Sequence, residues 1–158
     1  MATVIRGDDN FDTAYGQSAT VRVTKAVSQS IATGSPSYVS WDTTVFDPDN
    51  LHSSVTNTTR LTAATAGKYL VGSTIVWAEI QNHMILIALQ KNGAYITGHE
   101  QNTPTAGSQL HNSISVTTLI DLDVGDYVEV VVEQRSGSAV SLINVSPTNS
   151  FWMTYVSK

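Results

Sequence analysis

Cysteine is missing from all 158 residues, which excludes a disulfide framework, a thiolate metal site and a thiol nucleophile. Charge is scarce as well: Asp, Glu, Lys and Arg make up 13% of the chain, about half of the roughly 25% that an ordinary soluble domain carries. Eight basic side chains stand against thirteen acidic ones, a net charge of −5, and no Lys/Arg cluster occurs. Nucleic-acid affinity rests on neutralising phosphates, so no nucleic-acid partner is expected. Long hydrophobic runs are absent too. None approaches the ~20 residues of a membrane helix. Residues 1–19 hold Arg6, Asp8, Asp9 and Asp12 but no apolar signal-peptide core, so the expectation is synthesis in a cytoplasm without Sec export or membrane insertion.

What fills the place of charge is Ser, Thr, Asn, Gln and Gly, while the hydrophobic fraction of 41% is near normal. A surface of neutral hydrogen-bonding groups suits a protein packed against its own copies or against sugars. The length fits a single domain, which at this size buries roughly 70% of its unfolded surface.

The segment up to Ala19 is polar and aperiodic and reads as an N-terminal arm, with Val4, Ile5, Phe11 and Tyr15 as apolar anchors for attachment to a partner. From Thr20 to the end, short β-rich runs alternate with turn residues, and no helix of useful length is expected. Strands are predicted over Val21–Val27, Ser30–Ile31, Tyr38–Trp41, Arg60–Thr62, Lys68–Glu79, His83–Lys91, Ala94–Glu100, Ser113–Leu122, Tyr127–Glu133, Ala139–Ile143 and Ser150–Val156. Gly34-Ser35-Pro36 and Phe46-Asp47-Pro48-Asp49-Asn50 are predicted turns, Asn92-Gly93 is a strong hairpin signal, and Gln101 to His111 is a surface loop. This count points to an all-β, two-sheet antiparallel jelly-roll sandwich with an extended N-terminal arm.

Two strands are apolar on both faces. Lys68–Glu79 sets Tyr69, Val71, Ile75 and Trp77 on one side and Leu70, Val76 and Ala78 on the other. His83–Lys91 opposes Ile85, Ile87 and Leu89 to Met84, Leu86 and Ala88. Such a strand lies between two covering layers or meets another subunit, and without helices to act as a cover the second arrangement is favoured. Tyr69, Val71, Ile75, Trp77, Leu70, Val76, Trp152 and Tyr155 are therefore the candidate subunit-interface residues.

Three patches resemble the jelly roll shared by tumour necrosis factor and the globular heads of complement component one q. Arg60-Leu61-Thr62-Ala63-Ala64-Thr65-Ala66-Gly67-Lys68-Tyr69 is similar to that family's aromatic-Thr-Ala-Pro…Gly-x-Tyr strand entry. Leu61 stands for the aromatic, however, and Ala64 for the Pro. Leu89-Gln90-Lys91-Asn92-Gly93 is similar to its Leu-x-Lys-Asn-Gly hairpin. Leu122-Asp123-Val124-Gly125-Asp126-Tyr127-Val128 is similar to its Leu-x-x-Gly-Asp-x-Val entry, and Phe151-Trp152-Met153 falls where the family has its closing strand. The resemblance spans Val21 to Val156 and implies the fold and a homotrimer built on the outer face of one sheet, but no receptor. The cysteine-free, Ser/Thr/Asn-rich composition and the opening Arg6-Gly7-Asp8-Asp9-Asn10-Phe11-Asp12 resemble small structural proteins of bacteriophages, placed in capsid decorations, baseplates or tail fibres.

His52, His83, His99 and His111 lack His-x-His or His-Glu-x-x-His spacing, though a three-fold axis could gather His83 or His111. Asp47, Asp49 and Asn50, or Asp121, Asp123 and Asp126, could offer oxygen to calcium but lack the ligand density of a calcium loop. No Gly-x-Ser-x-Gly or phosphate-binding glycine loop occurs. Asn57-Thr58-Thr59 and Asn144-Val145-Ser146 match the glycosylation sequon and read as ordinary polar segments in a chain without a secretory signal. No cofactor is expected. The expected function is a non-enzymatic trimeric structural protein on a virion surface, held to other virion proteins by its arm. The alternative is a receptor-binding module whose loops recognise bacterial surface glycans.

Overall fold

Period-two alternation sorts the apolar side chains of this chain onto the facing sides of two antiparallel sheets. The computed structural model describes residues 19–78, 80–104, 111–143 and 149–158. The described residues contain no helix, and so none long and apolar enough to cross a membrane. The strands are β1 (Thr20–Thr24), β2 (Gln29–Ile31), β3 (Ser37–Tyr38), β4 (Thr43–Phe46), β5 (Arg60–Thr62), β6 (Gly67–Trp77), β7 (Met84–Lys91), β8 (Ala94–Asn102), β9 (Asn112–Leu122), β10 (Tyr127–Gln134), β11 (Val140–Leu142) and β12 (Ser150–Ser157).

The first sheet runs β4-β1-β12-β6-β9, with β11 and β2 extending it where β12 leaves β6. The second runs β10-β7-β8, with β3 and β5 sharing the far edge of β10. β6 is the spine of the first sheet, bonded to β9 over its whole length from Gly67↔Leu122 to Trp77↔Asn112. On its other edge β12 stops at Ser150↔Thr74 and β11 joins at Leu142↔Trp77. Asn149 closes the gap with its side chain: Oδ1 accepts the N–H of Val76 at 2.6 Å, and Nδ2 donates to the carbonyl of Ile143.

Between the sheets lie Val21, Val23, Tyr69, Val71, Ile75, Trp77, Ile114, Val116, Phe151 and Met153 from the first sheet. They meet Leu61, Ile85, Ile87, Leu89, Val128, Val130 and Val132 from the second. Trp41, which follows β3, stacks on Phe151 with ring centroids 5.5 Å apart. At the mouth of β6, Gly67 is required by space: a Cβ there would meet the carbonyl oxygen of Ser157 and the Tyr155 ring, both at 2.5 Å. Ala19 also belongs to the core, buried and accepting the N–H of Tyr155 through its carbonyl.

The expected Val21–Val27 strand ends at Thr24, because Lys25 turns inward. It is buried, and its Nζ donates to the carbonyl of Ser40 at 2.8 Å and lies 3.4 Å from Asp42 Oδ2. Burial by itself would raise the Asp42 carboxyl. The backbone N–H groups of Ala26 and Val27, the Thr43 hydroxyl and Lys25 outweigh it, and the net shift is downward. Phe46, read above as the start of a turn, instead ends β4, a strand whose four side chains are all exposed and so carry no burial period.

Two of the sequence patches singled out above lock together. Asp126 accepts Lys91 Nζ at 2.7 Å, Asn92 Nδ2 at 2.7 Å and the N–H of Asp123 at 2.8 Å. Asn92, in the left-handed region at φ 55° or below like the other non-glycine turn residues, returns an Oδ1 bond to the N–H of Tyr127. Lys91 also donates to the carbonyl of Asp121 on β9, so the clasp ties one sheet to the other. These bonds, Lys91 first, lower the Asp126 carboxyl to about 2. A folded pKa below the unfolded 3.8 contributes stability above about pH 4 that disappears as pH falls toward 2. After discounting for solvent screening, the contribution is about 1–2 kcal/mol. Asp126→Asn is expected to unfold at lower urea than the parent at pH 7, with the difference shrinking to near zero at pH 2. Midpoints measured at fixed protomer concentration check it, and a gap that persists unchanged into acid would place the stabilisation elsewhere.

Candidate assembly surface

The side chains of the first sheet that point away from the core form one continuous face. In register across it lie Phe46, Arg22, Trp152, Gly72 and Thr117, drawn from β4, β1, β12, β6 and β9. The next row is Thr20, Thr154, Leu70 and Leu119, with the Thr20 and Thr154 hydroxyls 2.7 Å apart. A third holds Thr74 and Ser115, hydrogen-bonded at 2.9 Å. Gly72 gives the Trp152 indole its place: a Cβ on Gly72 would fall 2.3 Å from that ring.

Charge on this face, among the described residues, is confined to Arg22 and to the Lys68–Asp121 pair (3.1 Å) at one end. The outer face of the second sheet carries Arg60 beside Glu129 in one row and Glu133 and Glu100 on either side of Leu86 in another, with Glu129 and Glu133 buried. Arg60 also covers the Tyr127 ring at 3.8 Å. Depletion of charge, with aromatic and aliphatic side chains left in view, is the compositional mark of an interface core. Leu70 and Leu119 are 37% and 57% exposed and sit directly opposite one another.

The eight interface candidates separate by strand parity. Tyr69, Val71, Ile75 and Trp77 turn inward and are fully buried in the intrachain core, so they leave no area for a second copy. Tyr155 faces the same way, packed edge-on against Tyr69 with centroids 5.5 Å apart. Leu70, Val76 and Trp152 lie on the outward face, where Val76 is already covered to 9% exposure by its own chain. That face is therefore neutral and threonine-rich with a few apolar projections, less oily than the two-faced strand suggested. Sequence reasoning missed Leu119, Phe46 and Gly72. Leu119 had a readable signal, since it is the single apolar residue on the Ser/Thr side of β9. The anchors Val4, Ile5, Phe11 and Tyr15 lie outside the described residues.

The oxygen and imidazole candidates are placed as follows. Asp47 caps its own turn, accepting the N–H groups of Leu51 and His52 at 2.8 Å each. Asp126 is committed to the clasp. His52 Nδ1 lies 3.1 Å from the carbonyl of Arg60, and His99 Nδ1 lies 3.3 Å from that of Ser115. Among the described residues no three His, Asp or Glu side chains gather for a metal.

No protein-family model and no curated protein sequence matches the chain. Solved structures do. Murine APRIL, crystallised at pH 5.0, superposes with a TM-score of 0.64 at 15% identity, covering 89% of this chain and all of the other. Eiger TNF from S. frugiperda gives 0.64 at 11% identity over 89% and 94% of the two chains. The fold is the jelly roll of the tumour necrosis factor family. Within that tumour necrosis factor-like fold the three sequence patches have structural work. Gly67 lets the ends of β6 and β12 meet, and the hairpin and strand-entry patches form the Lys91–Asn92–Asp126 clasp.

Proposed function

We propose that this chain is the head of a non-enzymatic, homotrimeric structural protein of a virion surface, a capsid decoration or a tail- or fibre-associated knob. Three copies pack through the outer face of the first sheet, and residues 1–18 attach the trimer to other virion proteins. The observation that carries the reading is the threonine-rich outer face of the first sheet with Leu70, Leu119 and Phe46 left exposed on it beside Trp152. Fully burying a leucine contributes about 1.5–3 kcal/mol against water; Leu70 and Leu119 are already partly covered, so roughly half of that is left for each to gain, and a trimer multiplies the gain over three equivalent contacts, from which ordering and association costs are subtracted.

Deletion of Met1–Ser18 separates the two parts of this proposal. The expected result is a head that keeps its three-subunit mass by light scattering but is lost from purified particles. Retention of the truncated head on particles would refute attachment through the arm. Ala19 is kept because it is a core residue.

A second reading is a receptor-binding module for bacterial surface glycans. What favours it is aromatic side chains on the face that this packing leaves open: Tyr38 and Tyr95, both exposed on the outer side of the second sheet.

A further inference from the structure

A groove of about 390 Å³ crosses the outer face of the second sheet, lined by Leu86 and Ala88 of β7, Tyr95 to Gly98 of β8, and Glu133 of β10. Its volume lies in the range of small-ligand sites, roughly 300–1,000 Å³. We propose that this groove binds a neutral pyranose ring of a polysaccharide. The proposal rests on the glycan-receptor reading above and moves recognition from the loops to the sheet.

Three features built into the strands shape the groove. Its floor is the Ala88↔Gly98 pair, the two smallest side chains of the face placed side by side. Gly98 has no positive φ to require glycine, and a Cβ there would stand 3.2 Å from Ala88 Cβ and from the carbonyl of Ile87. A strand glycine marks a bulge or the close approach of another backbone, and both are found near Gly98; its missing side chain leaves the floor of the groove open. At the rim, the pairing shifts between Leu89 and Gln90, so that Ile96 is the extra residue and Tyr95 pairs with Gln90. A bulge of this kind re-aims a side chain, and Tyr95 is left 59% exposed. Tyr38 is fixed on the same face by its hydroxyl donating to Gln90 Oε1 at 2.8 Å.

The charges select the ligand. Glu133 is held at the groove by Arg135 Nε at 2.9 Å, and Glu100 lies in register with it across Leu86. Carboxylates only accept hydrogen bonds, so they repel an anion and call for a ligand rich in hydroxyl donors. A purely apolar ligand would offer no donor to Glu133, which is 9% exposed with Oε1 already held by Arg135, or to the exposed Glu100 beyond it. A neutral sugar satisfies both demands, laying its C–H face on the Ala88–Gly98 floor and the Tyr95 ring while hydroxyls reach the carboxylates. Three such grooves on one trimer would strengthen weak single sites by multivalency.

The test uses the intact chain, the methyl glycosides of glucose, galactose, mannose, rhamnose and N-acetylglucosamine in ligand-detected saturation-transfer NMR, and surface capture on purified bacterial polysaccharides. Gly98→Val fills the groove, and Tyr95→Ala removes the rim should the valine disturb the strand. The expected result is millimolar binding of at least one glycoside, weakened tenfold or more by Tyr95→Ala and abolished by a folded Gly98→Val. Polysaccharide capture undiminished in both variants would overturn the groove and leave the receptor reading standing. Silence of the parent chain toward every glycoside and polysaccharide would overturn both.

Discussion

Leu119→Glu is expected to convert the proposed trimer into a folded single subunit, lowering the mass by light scattering from three times 17.0 kDa to 17.0 kDa at micromolar concentration. In an isolated head the substitution is mild: residue 119 is 57% exposed, and its partner across the ladder is Leu70, which does not repel a carboxylate. Surface changes of this sort stay within about 0.5 kcal/mol of the parent. In the proposed trimer the same carboxylate would enter a desolvated contact where Arg22 and Lys68 are the cations among the described residues of the face, and symmetry would bring in three at once. An unpaired buried charge costs several kcal/mol even after relaxation. Since each 1.4 kcal/mol is tenfold in an equilibrium constant, subunit affinity should fall at least a hundredfold. Thermal or urea unfolding of the variant, measured on the monomer, should remain cooperative. A Leu119→Glu protein that keeps the parent's mass would remove the first sheet from the interface, and a parent chain that is already monomeric would remove the trimer.

Leu119 was legible as the lone apolar residue on the Ser/Thr side of β9; sequence reading stopped instead at β6. The period of two was sufficient to divide β6 into Tyr69, Val71, Ile75 and Trp77 against Leu70 and Val76. It could not say which side faced inward, because both sides were apolar. The answer comes from pairing: β12 brings Phe151 and Met153 to the side of Tyr69 and Val71, and the second sheet covers that side. On β10 the same period, with Val128, Val130 and Val132 against Glu129 and Glu133, was enough, because charge marked the outer face. β4 escaped for the opposite reason, since an edge strand with four exposed side chains has no burial pattern to read. The turn patches were legible as motifs. That Lys91, Asn92 and Asp126 form one clasp was not, because the contact spans more than thirty residues and depends on how the sheets stack. The groove at Gly98 depends on a strand glycine whose meaning appears only when Ala88 is found beside it.

Phe151 and Trp152 give the sharpest separation of fold from assembly, because they are neighbours in the chain on opposite faces of one strand. Phe151 is fully buried against Trp41 in the core. Phe151→Ala is expected to destabilise the head by about 3–5 kcal/mol, as transfer and cavity terms add when a large core aromatic is deleted. That is a large share of the 5–15 kcal/mol that holds a typical domain together, and it should appear as a fall in the urea midpoint with the slope preserved. Trp152 lies outward over Gly72. Trp152→Ala is expected to cost the isolated head less than Phe151→Ala, because the indole is only partly buried, while weakening association, since aromatic anchors near the centre of an interface carry more than 2 kcal/mol when they are hot spots. Gly72→Ala should act like Trp152→Ala, displacing the indole without removing it, because the new methyl claims the space the ring occupies. The pattern expected is therefore one variant that unfolds early and two that dissociate early. If Trp152→Ala and Gly72→Ala instead lower the unfolding midpoint of the monomer as far as Phe151→Ala does, the outer face stabilises the fold of one chain and is not an interface.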